Sequence, residues 1–283
     1  MASTAGKIIP TWAGRRRGTR GLRIAASGSV LAVGTFSMIA TLAAVPTAAT
    51  AATAATNPYS GPGFDVGYPQ CGATSLPSGF AVVGLGGGRP FTTSSCLDAQ
   101  WSLATSSTSG TSSTPSTPSL YFNTGYAGAY AKSITAACSA AAGNAPVAPG
   151  TPAHVAKVET TAWEIGCSEA DYARLHEPGS PAVWWADVES GNSWSTNTAD
   201  NQFTVDGLAY QMNASGLPSG FYSTLSSWSK IVGAGFSSTP PVNANWLPAT
   251  SCPATGFSGA PVWVIQSGLT TVNSVSFDQD ASC

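Results

Sequence analysis

The chain has 283 residues, 43% of them hydrophobic and only 8% charged, with a formal net charge of −2. Cationic residues crowd its beginning: past residue 55 there remain 5 Lys and Arg against 13 Asp and Glu, a formal charge of −8. That balance argues against nucleic acid as a ligand and against electrostatic adhesion to anionic membranes. It fits a small ligand that is neutral or polar.

The first residues have the order of a secretory signal peptide. Arg15, Arg16, Arg17, Arg20 and Arg23 form a basic region, an apolar stretch runs from about Ile24 to Val45, and the small-residue run PTAATAATAAT follows. The alternative is an uncut membrane anchor, since roughly 20 apolar residues can span a bilayer. Gly, Ser and Thr inside the stretch, and the cleavable run after it, favour removal. A twin-arginine signal would place apolar residues just after the arginine pair, and they are missing. Residues 1–55 are therefore expected to be a signal peptide with its cleavage region. Residues 60–283 are expected to form one domain, long enough for a single large core. The mature protein is expected outside the cell or in the cell envelope, as a monomer with no stable membrane insertion.

Strand signals then alternate with helical ones. GFDVGY (63–68) and FAVVGLGG (80–87) read as the first two strands, and SCLDAQWSLATSS (95–107) has helical spacing. Residues 105–118, TSSTSGTSSTPSTP, are low in complexity, a surface insertion with no part in a core. SLYFNTG (119–125) is the third strand, TTAWEIGCSEADYARL (160–175) a helix, and VWWADVES (183–190) the fourth strand. A helix over 198–216, a strand PSGFYST (218–224) and a short helix LSSWSKIVG follow. Three further strands, PVNANWL (241–247), PVWVIQSG (261–268) and VNSVSFDQD (272–280), have no helical period between them. Apolar strands alternating with helices imply a parallel, doubly covered sheet. Eight strands in this length imply closure. The predicted fold is α/β: a single TIM-like barrel of five β/α units and three further strands.

Six cysteines, Cys71, Cys96, Cys138, Cys167, Cys252 and Cys283, all lie past the signal, and no C-x-x-C pair suggests zinc or redox work. Disulfides that staple the barrel are expected in an oxidising compartment. Of the 15 pairings open to six cysteines, sequential order is favoured, because each such pair closes a loop around one strand-to-strand connection.

The acids sort into two kinds. Glu159, Glu164, Glu169, Asp171, Glu177, Asp200 and Asp206 fall on helices or in connections, and are expected to be solvated or capping groups. Asp65, Asp187, Glu189 and Asp278 fall on strands amid aromatic or β-branched neighbours. Residues i and i+2 of a strand share a face, so Asp187 and Glu189 point the same way. First and eighth strands adjoin in a closed barrel, which brings Asp65 near Asp278. Crowded, buried carboxyl groups keep some members protonated, and an acid beside an ionised carboxylate is what glycosidic bond cleavage requires. Abundant tryptophan suits a sugar, whose faces stack on flat rings; Trp194, after the carboxylate strand, is the one expected to face ligand. The two histidines, His154 and His176, lie away from strand ends, which disfavours a Ser-His-Asp triad or a zinc site. GLGGGRP (84–90) lacks the order of a phosphate-binding loop.

The stretches GFDVGYPQ, ADVE, GFYSTLSSW, VWVIQ and SFDQD occur in the order seen in glycoside hydrolase family 25 lysozymes. More closely, the chain resembles secreted glycoside-hydrolase-like barrels known as domains of unknown function. The resemblance runs from Gly63 to Asp280, and its diagnostic element is the D-x-E at a strand end. It implies the same barrel, with Glu189 as the acid that protonates the glycosidic oxygen. Asp187 would stabilise an oxazolinium-like intermediate or orient the substrate amide, while Asp65 and Asp278 would position groups and tune the pair. Tyr68, Asn123, Tyr222, Trp246 and Gln266 join Trp194 as expected substrate contacts. The implied substrate is the peptidoglycan glycan strand, cut between N-acetylmuramic acid and N-acetylglucosamine, with no cofactor and no metal. Departures fall at the cleft: Gly67 stands where the family usually has Ser, Pro69 where it favours an aromatic residue, and VNANWL where it has Trp-x-Ala-x-Tyr. The expectation is a secreted, muramidase-like hydrolase of cell-wall or related polysaccharide; the alternative is a carbohydrate-binding barrel with a degenerate site.

Overall fold

The computed structural model describes residues 55–108 and 114–283. The expected signal segment, 1–55, lies outside them but for its last residue. Eight strands close into one barrel in chain order. They are β1 (Pro62–Val66), β2 (Phe80–Gly84), β3 (Ser119–Asn123), β4 (Trp184–Asp187), β5 (Ser219–Tyr222), β6 (Ala244–Pro248), β7 (Val262–Val272) and β8 (Val275–Ser282). Neighbours from β1 to β7 are parallel, and β8 runs antiparallel to both β7 and β1. Among the described residues, five α-helices cover the outside: α1 (Leu97–Thr108), α2 (Ala136–Ala140), α3 (Ala153–Leu175), α4 (Thr198–Ala214) and α5 (Leu225–Ile231). None of the described helices is long and apolar enough to cross a membrane.

The closed eight-stranded α/β barrel is the predicted one, with local differences: α2 is not foreseen, α3 begins at Ala153 rather than at 160, and no α-helix follows β1. The connection from β1 to β2 holds only a 3-10 turn, Tyr68–Gln70, because Pro69, Gly72, Pro77 and Gly79 punctuate it. The last connection is a tight hairpin whose turn residues, Asn273 (φ 49) and Ser274 (φ 67), are both left-handed. A two-residue turn of that hand matches the strands' twist, so β7 runs to Val272 rather than ending at 268.

Strand alternation makes two apolar layers. Phe64, Val66, Ala81, Val83, Trp184, Ala186 and Val188 point outward to meet Leu208, Met212 and Trp228 of the helices. Phe80, Val82, Trp185, Trp246, Trp263 and Val264 point inward and fill the barrel with Tyr59. The Tyr59 hydroxyl accepts the Trp185 indole N–H at 2.9 Å. Three disulfides pin the loops and helices: Cys71–Cys96, Cys138–Cys167 and Cys252–Cys283, the sequential order.

Two expectations need correction. Glu169, Asp171 and Asp206 are buried, not solvated. Glu169 accepts the Gly125 backbone N–H (3.2 Å), Asp171 pairs with Arg174 (3.1 Å), and Asp206 accepts the Thr239 N–H (2.6 Å). Helical period alone cannot distinguish an acid facing solvent from one that satisfies a neighbouring loop. The low-complexity segment also contributes more than expected. Residues 105–108 finish α1, Thr108 is fully buried, and Thr114 bridges to Ser60.

Candidate active site

The inward alternation that carries Trp185 into the barrel core carries Asp187 to the next layer and Glu189 to the mouth, just past the end of β4. The same rule acts at β1, where Asp65 points inward between outward Phe64 and Val66. Asp65 and Asp278 are register partners across the β1–β8 ladder. All four acids line one cleft of about 260 Å³ at the C-terminal ends of the parallel strands, with Tyr121, Asn123, Tyr222, Trp246 and Gln266. No Lys, Arg or His is among its lining residues.

Hydrogen bonds fix the walls. Asn123 Nδ2 donates to Asp187 Oδ2 at 2.7 Å, and Thr124 Oγ1 donates to the Asp187 carbonyl at 2.6 Å. Gln266 Nε2 donates to Asp65 Oδ2 at 3.1 Å, and its Oε1 accepts the Tyr222 hydroxyl at 3.0 Å. The Trp246 indole donates to Asp280 Oδ1 at 3.1 Å, while its ring lies 4.5 Å from that of Tyr222. Here Asp187 Oδ1 and Asp280 Oδ2 are buried without a partner.

Burial without a cation pushes these acids upward. Asp65 rises to about 8 through desolvation, then the Asp278 charge, against the Gln266 bond. Asp187 rises to about 8 through desolvation and the neighbouring Glu189, against the Asn123 bond. Glu189 is raised by desolvation and by Asp278, and Asp278 by desolvation. Tyr121 and Tyr222 are raised by burial and by the surrounding acids, so both phenols remain proton donors.

Two expected ligand contacts stand elsewhere. Trp194 does not line the cleft: it is half-buried against the outer core, and its indole N–H donates to the Glu189 carbonyl at 2.8 Å. It holds the loop that presents Glu189. Tyr68 is half exposed on the turn after β1, on the rim rather than in the cleft. Arg89 is exposed after β2 and faces a separate hollow near Glu169.

Two inward residues escape the sequence reading: Tyr121 lines the cleft, and Asp280 is buried outside its lining. Asp280, 1% exposed, lies two residues beyond Asp278 and so shares its inward face; the i, i+2 rule that pairs Asp187 with Glu189 finds it. Tyr121 lies two residues before Asn123 on β3 by the same rule. Its ring passes where side chains at 67 and 84 would stand, and both positions are glycine. The phenol thus fills the place that a side chain at 67 would take.

No protein-family model matches the chain, and no curated protein matches it. Among solved structures, it is similar to the modular autolysin LytC from Streptococcus pneumoniae, with a TM-score of 0.47 and 12% identity over 77% of this chain and 46% of that one. LytC in complex with a synthetic peptidoglycan ligand gives a TM-score of 0.47 at 11% identity, over 77% of this chain and 46% of that one. The modular Cpl-1 endolysin complexed with a peptidoglycan analogue gives 0.43 at 12%, over 80% of this chain and 54% of that one. The chain spans about half the length of these structures.

Proposed function

We propose that this chain is an exported, monomeric glycoside hydrolase, muramidase-like, acting on cell-wall or related polysaccharide without cofactor or metal. The observation that carries the reading is the convergence of Asp65, Asp187, Glu189 and Asp278 on one cleft with no cation to neutralise them. Such a cluster retains protons at neutral pH, as Asp65 and Asp187 at about 8 indicate. General-acid cleavage of an acetal requires a retained proton close to an ionised neighbour.

Glu189 is the group best placed to donate. It stands at the mouth, partly exposed, on a loop held by Trp194 and by Asn192, whose backbone N–H donates to the Glu189 carbonyl at 3.1 Å. Its proton passes to the glycosidic oxygen as the bond to the anomeric carbon breaks, and the entering water later returns one. Asp187, deeper and with Oδ1 unpartnered, is positioned to bond a substrate amide. The family resemblance of the motifs supplies the substrate, an N-acetylated glycan of the peptidoglycan type.

The test is reducing-end release from purified peptidoglycan and chitin-type oligomers, with mature protein beside the Glu189→Gln variant. Release by wild type and none by the variant, at equal melting temperature, supports the assignment. Equal release by both overturns the role of Glu189. Silence from both, with glycan retained in a pull-down, makes this a binding barrel instead.

A further inference from the structure

The cleft holds about 260 Å³, below the roughly 300–1,000 Å³ of sites that enclose a drug-sized ligand. It has room for one sugar ring, so the remaining units of a polysaccharide must bind outside it. Among the described residues, five large apolar side chains are conspicuously exposed: Tyr68 (50%), Val158 (45%), Leu175 (65%), Leu225 (70%) and Leu269 (71%). A single exposed leucine is ordinary. Placement distinguishes three of these. Tyr68 follows β1, Leu225 follows β5, and Leu269 lies on the β7–β8 hairpin, all at the mouth where the cleft opens.

The orientation of Leu269 follows from register. It is the cross-strand partner of Asp278, which lines the cleft, and such partners share a face. An irregularity between Gln266 and Gly268 sets that register. The opposite face of the hairpin is occupied: Phe277 is buried, and Val272 and Val275 pack on the outer core. The hairpin is anchored where it meets the loop after β1, since Gln70 Nε2 donates to Ser276 O (3.2 Å) and Asn273 Nδ2 to Ser75 Oγ (2.8 Å). Tyr68 begins that turn. Leu225 stands across the mouth, because β5 is the fourth strand from β1 in either direction around the ring.

We propose that Leu269 and Tyr68 on one bank, and Leu225 on the other, bind the sugar units flanking the one held among the carboxyl groups. The ligand is then an extended glycan laid across the mouth from β1 to β5, its apolar ring faces and N-acetyl methyls against these side chains. This rests on the glycosidase reading and adds a specificity for chain length. The carboxyl cluster positions one unit, and the banks supply affinity that grows with each unit added.

The test is calorimetric binding of N-acetylglucosamine oligomers of two to six units to the Glu189→Gln protein, with kcat/KM for the same series on the parent. Leu269→Ser, Leu225→Ser and, as a control from the outer face of α3, Leu175→Ser would be compared. Expected is affinity that rises with length, and a loss of about fivefold on the longest oligomer for each mouth variant, the size expected from exposing part of one leucine. The kinetic loss should fall on KM, should shrink as the oligomer shortens, and should be absent in Leu175→Ser. Because these leucines are exposed, melting temperatures should match the parent. Hydrolysis with affinity independent of length, or mouth variants that behave like Leu175→Ser, overturns the proposal alone. Neither hydrolysis nor binding of any oligomer overturns the proposal, alone if peptidoglycan is still cut and together with the glycosidase reading if it is not.

Discussion

Gly67 and Tyr121 share one space: a Cβ at 67 would overlap the Tyr121 hydroxyl, and a Cβ at Gly84 would press on the same ring. The backbone of Gly67 is extended, with φ −137, so glycine is required there by crowding and not by conformation. The Tyr121 phenol therefore places a hydroxyl at the cleft wall where a side chain at 67 would otherwise stand.

That relationship predicts an antagonism. Gly67→Ser should lower the melting temperature and reduce hydrolysis, because the rigid ring cannot give way; overpacking of this kind costs about 1–3 kcal/mol. Tyr121→Phe removes the clashing oxygen and leaves the ring carbon 3.5 Å from the new Cβ, an ordinary contact. The double variant should regain most of the lost stability in thermal melts. Additive losses would mean that the two positions do not compete.

Much of this site is legible in the sequence because β alternation is a strict rule. Asp187 and Glu189 point inward since Trp185 does, and Asp65 and Asp278 meet because a barrel joins its first and last strands. What the rule misses depends on contacts between distant segments. Trp194 looks like a ligand platform in isolation, yet its N–H holds the Glu189 carbonyl. Glu169 has the spacing of a surface acid, yet it closes on Gly125 from a helix 44 residues along the chain. Asp280 obeys the alternation and was open to the same argument.

The like charges predict a shift in the activity profile. Asp278 raises Glu189, after desolvation. Asp278→Asn keeps the shape and removes the charge, so Glu189 should lose its proton at lower pH. A general acid must be protonated to act, hence the alkaline limb of kcat/KM should move to lower pH in the variant. An unmoved limb would assign the acid to another group.

The disulfide between α2 and α3 predicts a stability loss. Cys138 and Cys167 are 29 residues apart and both buried. Opening a loop of that length frees the unfolded chain by about 3–4 kcal/mol, near 10 °C for a domain of this size. The Cys138→Ala, Cys167→Ala double variant, followed by calorimetry, should melt lower by about that amount. An equal melting temperature would mean that helix packing alone holds α2 in place.

Buried acids also fix how stability depends on pH. Asp65 and Asp187 titrate at about 8 in the folded protein, and Asp206 at about 7, against 3.8 when free. Between those limits the folded chain keeps protons that the unfolded chain has released, so raising the pH favours unfolding. Each such group contributes a slope of about 1.4 kcal/mol per pH unit across its window, although neighbouring acids do not add independently. Melting temperature should therefore be highest near pH 4–5 and fall steadily towards pH 8. Asp187→Asn removes one charge that the fold resists, and leaves a neutral group bonded to Asn123. It should flatten the fall and exceed the wild type in melting temperature at pH 8. A wild-type melting temperature that rises from pH 5 to 8 would mean that cations or water reach these carboxyl groups, and the proton reserve on which the proposed acid catalysis depends would be lost with it.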